Sequence, residues 1–545
     1  MMNPAGRYDV LPEPKARDAF GVLYEGKDRT TGHAVYLKAL GAGSRRTAPP
    51  EAFEAYQTLL HETLIPPLER IGAGGEEIVV AARPEGELLA DCLPKLRRSG
   101  LTGRYRLLRI LHDAARGVDA LHRSGLAHGQ VSPAAVQTSC QAPFQTFLIC
   151  FGPSEARAAH LYVQGNPNLA FLAPEQLRGG GDQTADIYAL GMLLYSAFAR
   201  TAPFAADSPY DAAEQIMWGD CAPFEPELDD IPASLRAAVL PDLQTVGAVA
   251  LKATQRDPRT RFATAGELAR ILEDLAKRLS PIELGVQLYE SRKYDLAAPV
   301  LEEAAKGPDA LRAWVFLGKV YSEGLGDYEK GLLAFRRALK EDPGLMAARE
   351  GLADHYARFG HFALALREVD GLLGSAPDNI LLIMKHGDLL AAGGDADGAL
   401  RTYERVRQLN PYHLAAHIRA IETVLAAGRV RDADRLCGEA LEIIQGVLRF
   451  GNLNPADVAA VYLLRARIHQ RNRLLDRAIA WGRKALEAVP EHPGSHALLA
   501  ELYIEAGDPD KAVEHFLALL RNAAGQKDVL DELARLMARA KAGPV

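Results

Sequence analysis

The chain has 545 residues, of which 48% are hydrophobic and 24% are charged, and its formal net charge is −7 with a pI near 6.1. A chain of this length is too long for a single compact core, and its composition is that of a folded globular protein. Its acidic net charge lacks the basic surplus that nucleic-acid binding requires. The five cysteines are scattered without metal-ligand spacing, which indicates neither a disulfide framework nor a metal site.

Neither the N-terminus nor the apolar segments carry a targeting or membrane signal. The first ten residues lack the basic and apolar regions of a signal peptide. The most apolar run, YALGMLLYSAFA, is shorter than the ~20 residues that a membrane-spanning helix needs, which predicts a buried helix. We therefore expect a cytoplasmic protein that has no membrane and no nucleic-acid partner.

The first half of the chain contains a series of motifs in order. Two segments with alternating apolar residues, AFGVLYEGKD and TGHAVYLKAL, predict a β-hairpin with Lys38 on its second strand. Five further segments follow in the order LHRSGLAHGQVSPAAV, ICFGPSEA, FLAPEQL, DIYALGMLLY and RDPRTRFATAGEL. A set of ordered motifs is far more specific than a lone glycine motif.

From Arg7 to about Leu279, this order resembles the kinase domain of bacterial Hanks-type serine/threonine protein kinases. The resemblance implies an α+β domain with two lobes, in which Lys38 takes the place of the lysine that pairs with the phosphates of ATP. It also implies structural roles for the residues that hold the kinase fold, which are His128, Phe151, Gly152, Glu175, Asp186 and Arg261. Among them, Arg261 is expected to form a buried ion pair with Glu175.

The positions that carry kinase chemistry are substituted. By the resemblance, Gln130 replaces the catalytic aspartate, Ala135 replaces the metal-binding asparagine, and Cys150 replaces the aspartate of the DFG motif. The Gln130 amide cannot accept the proton of a substrate hydroxyl, and the side chains that hold magnesium in this family are absent. The sequence therefore predicts a pseudokinase that has no catalytic residues and no metal site.

The glycine-rich loop of the kinase pattern is also degenerate. The pattern aligns with Ala16, Asp18 and Gly21, so one glycine remains, and the Asp18 carboxylate would repel phosphate. We therefore expect no cofactor, and Lys38 and Gly21 are interpreted as vestiges of an ATP site.

The role of Lys38 stays open between nucleotide binding and structure. In the structural interpretation, Lys38 is a solvated strand lysine or pairs with a carboxylate of the following helix. Glu51 and Glu54 both satisfy the alignment for that partner.

The second half of the chain repeats itself with a period of about 34 residues. Two series share this spacing, the glycines Gly326, Gly360, Gly394 and Gly428 and the prolines Pro343, Pro377 and Pro411. Each glycine can end a first helix in the left-handed conformation, and each proline can stop the second. Small residues recur five positions after the glycine or its equivalent, where paired helices must approach closely, at Gly331, Ala365, Ala399, Ala433, Ala478 and Ala512.

This period is typical of the tetratricopeptide repeat, and the segment 311–343 resembles that family closely. The resemblance implies an all-α solenoid that binds a peptide or another protein domain. Three parts of the chain are therefore expected, which are a kinase-like domain at 1–279, about six repeats at 280–525, and a capping helix with a tail at 526–545. The interval from Gly428 to Arg473 is longer than one period, and we interpret 445–455 as an insertion.

Acidic residues also recur at the repeat period. Asp354, Asp388 and Glu422 have this spacing, and Glu350 lies one turn before Asp354 on the same helix. By resemblance to the family, this offset faces a concave partner-binding groove. We expect the middle of the groove to be acidic and hypothesise a ligand that contains lysine or arginine. The alternative is a solvated acidic face that has no ligand.

Three functions remain for this sequence. The first is a catalytically inactive pseudokinase that binds other proteins through its kinase-like lobe and repeat groove, as a scaffold or adaptor in signalling. The second is an atypical serine/threonine protein kinase or nucleotide-binding regulator that retains Lys38. The third is a repeat protein whose kinase-like domain is only a folded cap. The first function best explains why the residues that hold the kinase fold are kept whereas the residues that carry kinase chemistry are substituted.

Overall fold

The chain divides into two compact units, Met1–Val320 and Tyr321–Val545. The computed structural model describes residues 6–18, 21–40, 50–73, 76–139, 145–151, 169–204, 208–447 and 453–522.

The β-structure of the described residues lies in the first unit. The strands of the described residues are β1 (Tyr8–Val10), β2 (Ala16–Asp18), β3 (Gly21–Asp28), β4 (Ala34–Leu40), β5 (Leu64–Ile65), β6 (Pro67–Ala73), β7 (Glu76–Ala82), β8 (Glu87–Leu88), β9 (Val136–Thr138) and β10 (Thr146–Ile149). One sheet has the order β1-β3-β4-β7-β6, with β2 also paired to β3, and a second sheet has the order β5-β10-β9-β8. The predicted hairpin is β3 and β4, which pair antiparallel with Leu23 opposite Lys38.

Helices make up most of the remaining described part of the first unit. They are α1 (Pro50–Gln57), α2 (Leu89–Arg97), α3 (Gly100–Arg123), α4 (Pro174–Leu177), α5 (Gln183–Phe198), α6 (Pro209–Trp218), α7 (Ala233–Ala253), α8 (Ala265–Arg278), α9 (Pro281–Glu290), α10 (Tyr294–Ala304) and α11 (Ala310–Lys319). Helix α5 contains all of the apolar run YALGMLLYSAFA except Ala199, which follows the last helical residue, and it is buried on all faces, as predicted. Helix α3 packs along α8.

The second unit is all helical where it is described. Its helices are α12 (Tyr328–Glu341), α13 (Met346–Arg358), α14 (Phe362–Ser375), α15 (Ile380–Ala392), α16 (Ala396–Leu409), α17 (Leu414–Ala426), α18 (Val430–Val447), α19 (Pro455–Arg471), α20 (Leu475–Ala488), α21 (Pro493–Glu505) and α22 (Pro509–Asn522). Counted in chain order from α9, the described helices make seven pairs, one more than the sequence suggested.

The periodic glycines have the conformation that their spacing predicts. Positive φ angles occur at Gly326, Gly360, Gly394, Gly428 and Gly507. Two arginines share this left-handed conformation, Arg292 with φ 57° and Arg473 with φ 60°. Arg292 lies one repeat period before Gly326, and Arg473 is the position that the sequence aligned with Gly428, so both keep the repeat register.

The small residues at the predicted helix crossings are buried. Ala365, Ala399, Ala433 and Ala478 are fully enclosed. At Gly331, an added Cβ would lie 2.6 Å from the Ser322 hydroxyl, which is too close for any side chain. These positions therefore let paired helices approach closely, as expected.

The predicted domain boundaries can be compared with the structure at three places. Helix α9 begins at Pro281, next to the boundary between residues 279 and 280 that the sequence predicts. The first compact unit continues past residue 279 to Val320, so that α9, α10 and α11 belong to it. Helix α18 continues into the inserted segment as far as Val447, whereas residues 448–452 and the predicted capping helix at 526–545 lie outside the described residues.

Candidate functional site

The loop around His128 is held by the buried carboxylate at the start of α5. The backbone N–H groups of His128 and Gly129 each donate to Asp186 at 2.7 Å. His128 Nε2 lies 3.0 Å from the carbonyl oxygen of Ile149. Gly129 has φ 71°, a left-handed conformation that glycine adopts without strain. The loop thus keeps a fixed path, although several of its side chains differ from the kinase pattern.

Lys38 is hydrogen-bonded to Gln130, the residue that the resemblance aligned with the catalytic aspartate. Its Nζ donates to Gln130 Oε1 at 2.6 Å and lies 4.7 Å from the centroid of the Phe151 ring. Lys38 and Gln130 are only 1% and 2% exposed, so the solvated-lysine interpretation is wrong. Of the two expected helix partners, Glu54 is exposed, and the side chain of Glu51 lies outside the described part of the chain.

The other two substituted positions are also enclosed. Ala135 and Cys150 are buried, and Ala135 accepts a hydrogen bond from Ile149 N at 2.8 Å. Burial raises the pKa of the Cys150 thiol well above its usual range, so the thiol stays protonated and uncharged at neutral pH. Among the described residues, no group of three or more histidine, cysteine, aspartate or glutamate side chains could hold a metal ion.

Tyr36 occupies the space between the two sheets and was missed by the sequence analysis. It lies two residues before Lys38, where the V-A-I-K pattern of kinases has a small alanine. The Tyr36 side chain is 1% exposed and packs with Leu23, Leu88 and Phe151. Burial raises its pKa to about 12. The segment AVYLK could have revealed this filling, because a tyrosine occupies the space beside the lysine that an alanine would leave open.

Gly21, the remaining glycine of the loop pattern, has a structural explanation. A Cβ at this position would lie 2.1 Å from the carbonyl oxygen of Ala39 on β4. Gly21 therefore allows β3 and β4 to pair closely. Residues 19–20 and the Asp18 side chain lie outside the description.

The structure brings Glu175 and Arg261 together. Arg261 Nη2 donates to Glu175 Oε2 at 2.9 Å, and the Arg261 side chain is 0% exposed. The same guanidinium donates to the carbonyl oxygens of Gln255 and Thr184 at 2.7 and 2.9 Å. The expected ion pair is therefore part of a larger hydrogen-bonded network. Gly152, which the resemblance placed beside Phe151, lies outside the described residues.

Two basic residues that the sequence analysis missed pair with carboxylates of the acidic row of the repeats. Lys385 Nζ lies 2.7 Å from Asp354 Oδ1. Arg419 lies 3.5 Å from Asp388 and 3.0 Å from Glu422. These pairs connect first helices of successive repeats, α13 to α15 and α15 to α17.

The expectation of an acidic groove stays a prediction. Each of the three periodic carboxylates has a basic partner, but Asp388 and Glu422 share Arg419, so the row keeps more negative than positive charge. Glu350 lies on α13 with its backbone carbonyl 3.4 Å from Lys385 Nζ, and its own side chain is half-buried.

Comparison with protein families identifies the repeats. Family models described as tetratricopeptide repeat match residues 282–344, 323–380, 390–453 and 472–539. A solved tetratricopeptide repeat protein from Parabacteroides merdae has 18% identity and a TM-score of 0.37, and the match covers 47% of this chain and 96% of that chain.

The first half is similar to bacterial kinases. The serine/threonine-protein kinase PknB of Mycolicibacterium smegmatis is 29% identical over 203 residues, which are 36% of this chain and 31% of that protein. PknL of Mycobacterium bovis is 28% identical over 276 residues, which are 48% of this chain and 64% of that protein. The chain therefore spans less than two thirds of either relative.

A structure of Rad53 in complex with AMP-PNP has 18% identity and a TM-score of 0.34, and the match covers 49% of this chain and 64% of that chain. From its sequence relatives and repeat models, the chain combines an α+β protein-kinase-like domain with a tetratricopeptide-repeat solenoid. In the described ranges, no helix has the length and apolar character that a membrane span requires.

Proposed function

We propose that this protein is a catalytically inactive pseudokinase that works in signalling as a protein-binding scaffold or adaptor. The observation that carries the proposal is the hydrogen bond from Lys38 Nζ to Gln130 Oε1. It joins the lysine expected to pair with phosphates to the position expected to hold the catalytic base. The two side chains therefore bind each other, and both are buried.

The side chains present do not fit magnesium-ATP. Tyr36 fills the space next to Lys38 on β4, and the two expected magnesium ligands are Ala135 and a protonated Cys150. Neither a methyl group nor a neutral thiol replaces a carboxylate or an amide oxygen as a magnesium ligand. We therefore propose that the domain needs no nucleotide cofactor.

Protein binding is the function that the repeats support. Tetratricopeptide repeats are helix pairs that stack into extended surfaces, and such surfaces hold peptides or domains. The kinase-like domain keeps the contacts of a stable fold, including the Glu175–Arg261 pair and the Asp186 anchor. We propose that both parts bind protein partners, with the protein in the cytoplasm.

The alternative is an atypical kinase or a nucleotide-binding regulator. Two observations favour it, the presence of Lys38 and the kinase activity in the names of the relatives. It requires new metal ligands and a new base, and it requires Lys38 to leave Gln130.

A phosphotransfer assay separates the two functions. The full chain is incubated with radiolabelled ATP, magnesium or manganese, and generic protein substrates. We expect no transfer, in cis or in trans, above the level of a Lys38→Ala variant, and no magnesium-dependent thermal shift with ATP. Transfer that disappears in Lys38→Ala would establish the kinase alternative instead.

A further inference from the structure

We propose that the connection between α19 and α20 binds a carboxylate-rich segment of another protein. Four side chains form this site, which we name the arginine turn, and they are Arg467, Arg471, Arg473 and Arg477. The first two lie one helical turn apart at the end of α19, the third lies between the helices, and the fourth lies in the first turn of α20.

Ion pairs do not cancel the positive charge of the arginine turn. All four side chains are exposed, and none forms a hydrogen bond or an ion pair with a described residue. Between residues 465 and 477 the chain has five arginines and one carboxylate, Asp476, and the fifth arginine, Arg465, pairs with Asp434. Glu501 and Glu505 on the next first helix, α21, form no ion pair with the four arginines in the described structure.

A buried histidine senses this positive charge. His469 lies on α19 and is 7% exposed. Burial lowers the pKa of its ring, and the charges of Arg465 and Arg477 lower it further, whereas Asp434 acts in the opposite direction. The charge of Arg477 thus acts on the neighbouring helix, and no carboxylate of the described residues pairs with it.

The repeat fold does not require arginines at these positions. At the same four offsets, the preceding repeat has Glu422, Ala426, Gly428 and Asp432. Two of these residues are acidic and two are uncharged, and they belong to a helix pair of the same type, α17 and α18. Helix packing therefore does not explain the arginine turn.

Arg473 has a strained backbone that its side chain does not offset. Its φ is 60°, whereas glycines take the corresponding place in the repeats on either side, at Gly428 and Gly507. A residue with a Cβ is destabilised in this left-handed region. The exposed Arg473 side chain makes no hydrogen bond or ion pair with a described residue that would compensate. Strained residues are concentrated at functional sites, and binding through the guanidinium explains an arginine here.

An acidic protein segment is the partner that fits this surface. Each guanidinium has five N–H donors and no acceptor, and a carboxylate can accept two of them in parallel. The four groups start from separate positions on two helices and their connection, which suits single negative charges spaced along a segment. Nucleic acid fits less well, because its affinity grows with the number of phosphates that are neutralised. The Asp476 carboxylate and the chain's net charge of −7 would repel a long phosphate backbone.

The two arginines with left-handed backbones supply a matched pair of variants. Arg473→Gly and Arg292→Gly remove the same charge and relieve the same backbone strain. Arg292 is also exposed without an ion pair, but it lies among the exposed residues Glu290, Lys293 and Asp295, where no positive surplus exists. We expect both variants to unfold at a higher temperature, whereas only Arg473→Gly should weaken binding. Weaker binding by a more stable protein cannot come from a damaged fold.

The experiment uses the full chain and a fluorescein-labelled peptide of alternating glutamate and serine, with its glutamine counterpart as the neutral probe. Fluorescence anisotropy is measured at low and at physiological salt. We expect the glutamate peptide to bind, and to bind less tightly at the higher salt, and we expect the glutamine peptide not to bind. Arg473→Gly should weaken binding about fivefold, whereas Arg292→Gly should change it by less than about twofold.

Arg471→Ala provides a second test, because the preceding repeat has alanine at this offset, and it should also weaken binding about fivefold. No binding of the glutamate peptide, equal binding of the glutamine peptide, unchanged binding in both arginine-turn variants, or an equal loss in Arg292→Gly would overturn the site. Tighter binding of a phosphoserine version would overturn the assignment to carboxylates. Tighter binding of a single-stranded DNA of equal charge would overturn the assignment to a protein partner.

The proposal rests on the protein-binding part of the proposed function. A phosphotransfer assay on the same preparation reports separately on the kinase-like domain. Failure of the peptide to bind therefore counts against the arginine turn, and transfer that depends on Lys38 counts against the pseudokinase.

Discussion

Tyr36 and Lys38 lie two residues apart on β4, so their side chains leave the sheet on the same face. There they meet Phe151 and Leu88, which belong to the other side of the cleft. A buried lysine is costly unless it is hydrogen-bonded, and Gln130 supplies that bond. Under the proposed function, Gln130 therefore stabilises Lys38 in place of the phosphates that the kinase resemblance implies.

Tyr36→Ala tests whether the cleft is filled for stability. The substitution leaves a cavity in a closed cluster, so we expect the free energy of unfolding of the kinase-like domain to fall by about 3–5 kcal/mol. Calorimetry of the full chain measures the shift of the corresponding transition. Tyr412→Ala, at a tyrosine that is 66% exposed, is the control and should leave all transitions unchanged. A nearly neutral Tyr36→Ala would show that the cluster is not packed as described.

Arg261→Ala tests the ion pair with Glu175. Removing the guanidinium leaves the Glu175 carboxylate and three carbonyl oxygens without their donor, and we expect a cost of roughly 3–5 kcal/mol. Arg259 is the matched control, because it pairs with Asp257 only two residues away and is 89% exposed. Urea denaturation should show a clear loss for Arg261→Ala and none for Arg259→Ala, and equal effects would contradict the network.

At the scale of the elements, the repeat period predicted where helices end, because a left-handed residue is needed at a fixed place in each unit. The sequence aligned Arg473 with this place, but it did not indicate that Arg292 and Arg473 adopt the left-handed conformation there. This conformation costs a residue with a Cβ about 1–2 kcal/mol. The contacts of the surrounding helices must offset that cost.

Arg473→Gly is therefore expected to stabilise the solenoid. Glycine removes the left-handed strain but loses more backbone entropy on folding, so the net gain should be about 0.5–1 kcal/mol. The reverse change, Gly428→Ala, places a Cβ at φ 75° and should destabilise by a similar amount. Thermal unfolding followed by circular dichroism measures both, and a loss of stability in Arg473→Gly would contradict the assignment.

The partners of the functional side chains were harder to predict than the elements. Lys385 follows Asp354 at the same spacing as Arg419 follows Asp388, and this spacing is slightly shorter than the repeat period. The two ion pairs join first helices of neighbouring repeats. That spacing can be read from the sequence, but it predicts an ion pair only when it is known which faces of the two helices meet. Likewise, the partner of Lys38 is Gln130, far along the chain, and no local pattern reports such a contact. Motif order therefore predicted the fold, whereas side-chain pairing required the structure.

At the scale of the whole molecule, the first helix pair after the predicted boundary is tied to the kinase-like domain. Helix α3 begins at Gly100, and the N–H groups of its first turn need acceptors. Asp230 accepts from Gly100 N at 2.9 Å, and Glu303 on α10 accepts from Thr102 N at 2.8 Å. Both carboxylates also lie at the positive end of the helix dipole. A residue of the first repeat thus completes a helix of the kinase-like domain.

This contact predicts that the kinase-like domain needs α9 to α11 for full stability. We expect Glu303→Ala to lower its free energy of unfolding by about 1 kcal/mol, because an N-terminal acceptor is lost. Glu290→Ala, at an exposed glutamate on α9, is the control and should have no effect. A fragment that ends at residue 279 should unfold at a lower temperature than one that ends at Val320, because only the longer fragment retains Glu303 and its helix. If both fragments unfold at the same temperature and Glu303→Ala is neutral, the domain is complete at 279 and the first repeat does not support it.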